Sequence, residues 1–140
     1  MSLIALHFHW CVADAARQSS SVETKSFAGW AAPELPALMQ ASAIMYKTSL
    51  WFALLHVVIE GYKQLRICEP LVDALLKEES MVDSLRRFRN AIFHYQETPF
   101  GPKQQEFLAH PHSFEWATKL HRELGSAMDR NRSRDFTSTP

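Results

Sequence analysis

Arg89-Asn90-Ala91-Ile92-Phe93-His94 gathers a permanent cation, an amide and an imidazole within two turns of a helix. Arginine presents a planar fork of donors that matches phosphate or carboxylate oxygens. Histidine is the side chain whose ordinary pKa lies near neutrality, so it can take or give a proton there. The combination suits general acid–base work beside an anion. At about 100° per residue, Met81, Leu85, Phe88, Ile92 and Tyr95 fall in one narrow apolar stripe, which marks the buried side. Asn90 and His94 lie one turn apart, roughly opposite that stripe, with Arg86 and Phe93 beside them and Arg89 on the flank. A polar pair, basic residues and a phenylalanine thus share the face that a bundle core would leave outside.

The elements that must hold this helix are also legible as helices. The spacing of Leu3, Leu6, Trp10 and Ala13 predicts a first helix over 3–18, with a short strand over Ile4 to Trp10 as its alternative. Serines, a glycine and two prolines oppose helix across a predicted loop over 19–35, in which Phe27 and Trp30 are candidate anchors. From Pro36 to Leu65 helix formers dominate, giving one long helix or two with a bend near Lys47-Thr48-Ser49. Leu50, Leu54, Val57, Val58, Gly61 and Leu65 share one face of it, and Phe52, His56, Ile59 and Glu60 the other. A helix apolar on two sides must be covered twice, by other helices or by another subunit. Pro70 opens a short helix to Glu79 with Leu71, Leu75 and Leu76 inward, and the motif helix follows from Ser80 to Tyr95.

Thr98-Pro99-Phe100-Gly101-Pro102 stops that helix. A last helical region takes in Lys103 to Leu108, breaks at Pro111 and resumes from Ser113, a candidate N-cap, with Trp116, Leu120, Leu124 and Met128 spaced by four. The polar tail over 130–140 is expected to fray. The predicted fold class is all-α, an antiparallel up-and-down bundle of four to five helices in a single domain over 1–140.

Composition narrows the function classes. With 140 residues and 46% hydrophobic content, the chain can bury one substantial core. Its formal net charge of +0 asks for no polyanionic partner, so any nucleic-acid contact must come from a local basic patch. Cys11 and Cys68 are isolated, which makes a reduced, cytoplasmic setting the expectation. No basic leader or membrane-length apolar run is present, so no export or membrane partner is expected. His7, His9 and Cys11 would share a side only on a strand, and His110 and His112 flank a proline; neither set has zinc-site spacing, and no metal or cofactor is expected. No Gly-rich phosphate loop or nucleophile elbow is present.

The form R-N-x-x-x-H resembles the signature of the HEPN superfamily, whose ribonuclease members carry an arginine, four to six residues and then a histidine. The order of Trp51 to Lys63, the Pro70 helix, the LRRFRNAIFHYQ helix and the closing Trp116…His121 spacing is similar to small stand-alone HEPN proteins, over roughly the last two-thirds of the chain. The resemblance implies a bundle that dimerises across its motif helices and cuts RNA without metal, leaving a 2′,3′-cyclic phosphate and a 5′-OH. It implies His94 as general base or acid, Arg89 as the residue stabilising charge on the phosphate, and Asn90 as the residue orienting one of them or holding the RNA backbone. It also implies a toxin or defence role, with an antitoxin among the partners. Arg86, Arg87 and Glu60 are candidate RNA-binding residues. Each has a plainer reading: Arg86 and Arg87 as surface arginines paired with Asp83, and Glu60, like His56 one turn before it, as an ordinary helix-surface or interface residue. The alternative to catalysis is a non-catalytic HEPN-like dimer that binds a nucleotide, RNA or a partner protein. A purely structural helical dimer stands behind both.

Overall fold

A computed structural model of the chain describes residues 2–20, 35–94, 97 and 101–137, with side chains outside 20, 35–43 and 132–137. The described residues form six helices: α1 (Leu3–Ser20), α2 (Leu35–Gln64), α3 (Pro70–Leu76), α4 (Glu79–Phe93), α5 (Pro102–Leu108) and α6 (Ser113–Thr137). The all-α bundle read from the sequence is observed, with six helices among the described residues where four to five were expected. The strand weighed for Ile4 to Trp10 is not formed, since α1 runs through it. None of the described helices is long and apolar enough to cross a membrane.

Helix α2 is the central element. Trp51, Phe52, Leu55, Val58, Ile59 and Tyr62 are all buried, and α1, α4 and α6 pack around it. Both sides of α2 are therefore covered by helices of the same chain, leaving Leu50, Leu54 and Val57 as its partly open strip. Phe52 meets Phe88 of α4 and Phe107 of α5 edge-on, with ring centroids 5.9 Å and 5.1 Å away. α2 ends in a left-handed residue, Arg66 at φ 53°, which lets Ile67 N–H reach the Tyr62 carbonyl and Arg66 N–H the Lys63 carbonyl.

Element boundaries differ from the sequence reading where side chains satisfy backbone groups. Most of the predicted 19–35 loop, including Phe27 and Trp30, lies outside the described residues. Ser19 and Ser20 complete α1: the Ser19 hydroxyl donates to the Ala16 carbonyl, and the Lys47 ammonium donates to the Ser19 carbonyl at 3.2 Å. α3 stops at Leu76, and Leu71, expected inward, is 58% exposed. Val72, Leu75 and Leu76 define its inner face at helical spacing, which turns Leu71 sideways by about a quarter turn. Met81, Leu85 and Phe88 of α4 are buried as expected and Ile92 packs on the core, while Tyr95 lies outside the described residues.

Ser113 is not the N-cap. Its hydroxyl donates to the His110 carbonyl, and the His112 carbonyl accepts the first bond of α6 from Trp116 N–H. The stripe of Trp116, Leu120, Leu124 and Met128 is buried. At the start of the 130–140 tail, Arg130 and Asn131 donate to the two carboxylate oxygens of Glu69 at 2.8 and 3.1 Å, and α6 continues to Thr137, with 138–140 outside the described residues. Tyr62 braces the same corner: its hydroxyl donates to Asp73 at 2.7 Å and accepts from Glu69 N–H at 2.8 Å.

α1 and α6 run antiparallel, with Asp14 against His121 and Trp10 against Gly125. The Trp51 indole N–H can only donate, so His121 Nδ1 accepts from it at 3.4 Å, and Nε2 carries the proton toward Asp14 Oδ1 at 3.0 Å. The Trp10 ring stacks on His121 at 5.1 Å, and its N–H donates to the His121 carbonyl. Burial holds the His121 imidazole below its ordinary pKa, against the upward pull of Asp14. Burial pushes Asp14 up, but hydrogen bonds from Arg17, His121 and Gln18 outweigh it and hold the carboxyl below the ordinary value.

Two expectations follow from this packing. A Cβ on Gly125 would meet the Trp10 ring at 2.5 Å, and Trp10 is pinned by its stack and hydrogen bond. Overpacking costs about 1–3 kcal/mol against ~1 kcal/mol gained in helix propensity, so Gly125→Ala is expected to lower the urea midpoint; a raised midpoint contradicts the contact. Because the folded pKa of His121 lies below its unfolded value near 6.5, its contribution to stability is complete above that pH and lost as pH falls through the folded pKa. Thermal unfolding is expected at a higher temperature at pH 7.5 than at pH 5.5, with a smaller difference in His121→Gln. Equal pH dependence in the two proteins contradicts the assignment.

Candidate functional site

The outer face of α4 carries the residues singled out in the sequence, and α2 stands behind one edge of it. Met81, Leu85 and Phe88 fix the rotation of α4 by burying on α2 and α5, so Arg86, Phe93 and His94 are exposed, while Arg89 and Asn90 are half-buried at the flank. The helix closes at Phe93, two residues earlier than predicted. His94 is its C-cap, in an extended conformation at φ −117° and ψ 146°, and its N–H makes the last helical bond, to the Asn90 carbonyl at 3.1 Å. That bond keeps the His94 backbone one turn beyond Asn90, while the chain leaves the helical path at His94 itself.

The three arginines of α4 have different partners. Arg86 donates through Nε and Nη2 to Asp83, at 3.0 and 2.7 Å. Arg87 lies 3.4 Å from the other Asp83 oxygen and donates to Glu106 of α5. The plainer reading of these two thus describes their geometry, with Glu106 as a partner that lies 19 residues along the chain and carries no local signal. Hydrogen bonding to Arg86 holds the Asp83 carboxyl below its ordinary pKa. Arg89 is different. Nη1 donates to Asn90 Oδ1 at 3.0 Å, Nη2 stands 3.7 Å from Glu60 Oε2, beyond hydrogen-bond range, and the buried Nε makes no hydrogen bond. Of the five N–H donors of a guanidinium, the described residues engage the one on Asn90. The Phe93 ring lies beneath Arg89, 5.8 Å from the guanidinium carbon, at the range of a cation–π contact.

The structure brings Glu60 and His56 to this flank from α2. Glu60 is half exposed, with its second oxygen 3.8 Å from His56 Nδ1. His56 is 4% exposed, and its Nδ1 makes no hydrogen bond. Burial keeps the His56 imidazole below its ordinary pKa; Glu60 raises it, and Arg89, Lys63 and Arg86 add to the lowering. A buried polar atom without a partner costs about 1–3 kcal/mol, and two of them, Arg89 Nε and His56 Nδ1, flank one carboxylate. Arg89, Asn90, Glu60 and His56 therefore form one polar seam between α2 and α4, open to solvent at Glu60 and Arg89.

A cleft of about 400 Å³ lies elsewhere, between α1 and α6, lined by Trp10, Asp14, Arg17, His121 and Arg122 among others. No residue of α4 borders it. Its charged groups are largely engaged with one another or with close neighbours, Arg17 with Asp14, His121 with Asp14 and Arg122 with Glu123. It reads as the solvent side of the bracing network around His121, which sequence separation of 107 residues between Asp14 and His121 concealed.

No family model, curated protein or solved structure matches the chain. An Arg89→Ala variant is expected to stay folded while its Phe93 ring becomes more mobile; a fall in helical circular dichroism comparable to that of Phe88→Ala would instead make Arg89 a structural residue.

Proposed function

We propose that the protein is a metal-independent endoribonuclease of the HEPN type, acting as a homodimer that pairs the outer faces of two α4 helices. The observation that carries this reading is Arg89: half-buried on the flank of α4, in R-N-x-x-x-H register with Asn90 and His94, it commits Nη1 to Asn90 and leaves Nη2 without a hydrogen-bonded carboxylate, 3.7 Å from Glu60. In this reading Arg89 binds the non-bridging oxygens of a phosphodiester through parallel N–H bonds and stabilises their charge as the phosphorus becomes five-coordinate. Asn90 holds the guanidinium in place through its side-chain oxygen. His94, exposed at the end of the helix, takes the proton from the 2′-OH, whose oxygen attacks the adjacent phosphorus, and the 5′ oxygen leaves with a proton from a second acid. The second imidazole is supplied by the partner's motif helix, and the products are a 2′,3′-cyclic phosphate and a 5′-OH.

The homodimer, a toxin or defence role and an antitoxin partner belong to the same proposal, supported by the motif resemblance. Phe93, half exposed beside Arg89, gives the α4 face an apolar component that a second copy can cover. Arg86 and Arg87 enter as an outer basic rim. Their charge is offset by Asp83 and Glu106, so they contribute to RNA attraction less than Arg89 does. A non-catalytic dimer is the second reading, and the proximity of Glu60 to Arg89 favours it, because a carboxylate there competes with a phosphate.

The assay is cleavage of total RNA and transfer RNA by the purified protein, with and without chelator. The wild type is expected to cut in both conditions. His94→Ala and Arg89→Ala are expected to lose at least ~100-fold, whereas Arg86→Ala and Arg87→Ala stay within a few fold. Binding of RNA without cleavage selects the non-catalytic dimer, and full activity in His94→Ala removes the proposed mechanism.

A further inference from the structure

The seam between α2 and α4 holds a carboxylate committed to neither neighbour. Glu60 Oε2 is 3.7 Å from Arg89 Nη2, and Glu60 Oε1 is 3.8 Å from His56 Nδ1. Both separations exceed a hydrogen bond and fall within ion-pair range. Arg89 Nε and His56 Nδ1 are buried and make no hydrogen bond, and for His56 a shift of Glu60 Oε1 by about one ångström would supply the missing acceptor. Glu60 itself is half exposed and on a helix surface, free to swing between rotamers.

We infer that Glu60 is a displaceable carboxylate: a phosphate group docking on Arg89 takes its place beside the guanidinium and passes it to His56, which takes up a proton from solvent to hold it. The inference deepens the reading of Arg89 as a phosphate-binding residue and rests on that reading, but requires no cleavage. The ligand chemistry is a tetrahedral oxyanion whose oxygens accept from the Nη2 donors, as free phosphate or as the phosphodiester of a nucleic acid. His56 is a positioning residue here, since it acts through Glu60 and touches no ligand.

The charge balance gives the direction. The charged groups acting on His56 are Glu60 and Lys63 from α2 and Arg86 and Arg89 from α4, and Glu60 alone of these favours its cationic form. Arg86 is already offset by Asp83. An anion on Arg89 cancels a charge that opposes protonation, and Glu60, released from Arg89, closes on Nδ1 as the acceptor of a charge-assisted hydrogen bond. The bound state therefore carries one more proton on His56 than the free state, over the pH range between its two pKa values. Phosphate affinity must accordingly weaken as pH rises through that range. A fixed Arg89 site with no proton uptake has no such dependence beyond the ligand's own titration.

The test is nitrogen-detected NMR of the His56 imidazole across pH 5 to 9, in the full-length protein, with three additions at matched ionic strength: sodium chloride, inorganic phosphate, and a 2′-deoxy dinucleotide that cannot be cleaved through a 2′-OH. Phosphate and the dinucleotide are expected to raise the His56 midpoint by on the order of one pH unit, and chloride to leave it in place. Glu60→Gln is expected to abolish the shift while the Arg89 side-chain resonances still respond to ligand, and Arg89→Ala to abolish both. A shift with the dinucleotide alone assigns the site to nucleic acid, and a shift with both assigns it to phosphate in general. If Arg89 responds to ligand and the His56 midpoint does not move, or if Arg89 responds to neither probe, the displaceable carboxylate is overturned. RNA cleavage without a His56 shift leaves the ribonuclease reading standing without this one, and a shift in a protein that cuts no RNA does the reverse.

Discussion

Helix α2 is apolar around most of its circumference, and it must be surrounded to be stable in water. Trp51, Phe52, Leu55, Val58, Ile59 and Tyr62 leave no broad polar face between residues 51 and 62, so α1 covers one side and α4 another while α6 closes over Trp51. The rotation of α4 follows from this demand. Phe88 enters the aromatic cluster with Phe52 and Phe107, Leu85 and Met81 follow on the same stripe, and whatever is opposite that stripe is delivered to solvent. The position of Arg89 and Asn90 is thus a consequence of packing on the other side of the helix, while His94 follows as the extended C-cap where the chain leaves it.

The same constraint explains why polar chemistry collects at one seam. Two polar side chains of α2, the buried His56 and the half-exposed Glu60, are one turn apart on the edge that meets α4. There they face Arg89, which unlike Arg86 and Arg87 has no hydrogen-bonded carboxylate. A fold that only needed solubility would have little reason to keep an underused guanidinium, a half-committed carboxylate and an unbonded buried imidazole together. Unmet buried groups cost stability, and sites that bind or react are where proteins tolerate such costs.

Much of the bundle was legible in the sequence because its signals are local. Apolar spacing by three and four located α4 and α6 and their buried stripes, and proline and glycine located the end of α4 and the start of α6 to within a few residues. The errors have physical causes in contacts that sequence spacing does not carry. The 130–140 tail reads as solvated, yet Arg130 and Asn131 find Glu69, 61 and 62 residues away. Ser113 reads as a cap, yet its hydroxyl turns back to His110. Leu71 reads as core, yet a seven-residue helix has room for one buried face, and Val72 claims it. At the candidate site the motif was visible from Arg89, Asn90 and His94, but the sequence pattern continues the helix to Tyr95, whereas His94 is its extended C-cap and Asn90 is half-buried. The pairing of Arg87 with Glu106, and the convergence of His56, Glu60 and Arg89 on one seam, needed the packing of α2 against α4 and α5.

The central claim is that Arg89 and His94 act on a phosphodiester through the neighbouring 2′-OH, without metal. Mass spectrometry of the ends produced when the purified protein meets a defined single-stranded RNA in excess chelator tests it most directly. The expected ends are a 2′,3′-cyclic phosphate and a 5′-hydroxyl, with no product from the same sequence made as DNA. Intact RNA, or 3′-hydroxyl and 5′-phosphate ends, would contradict it.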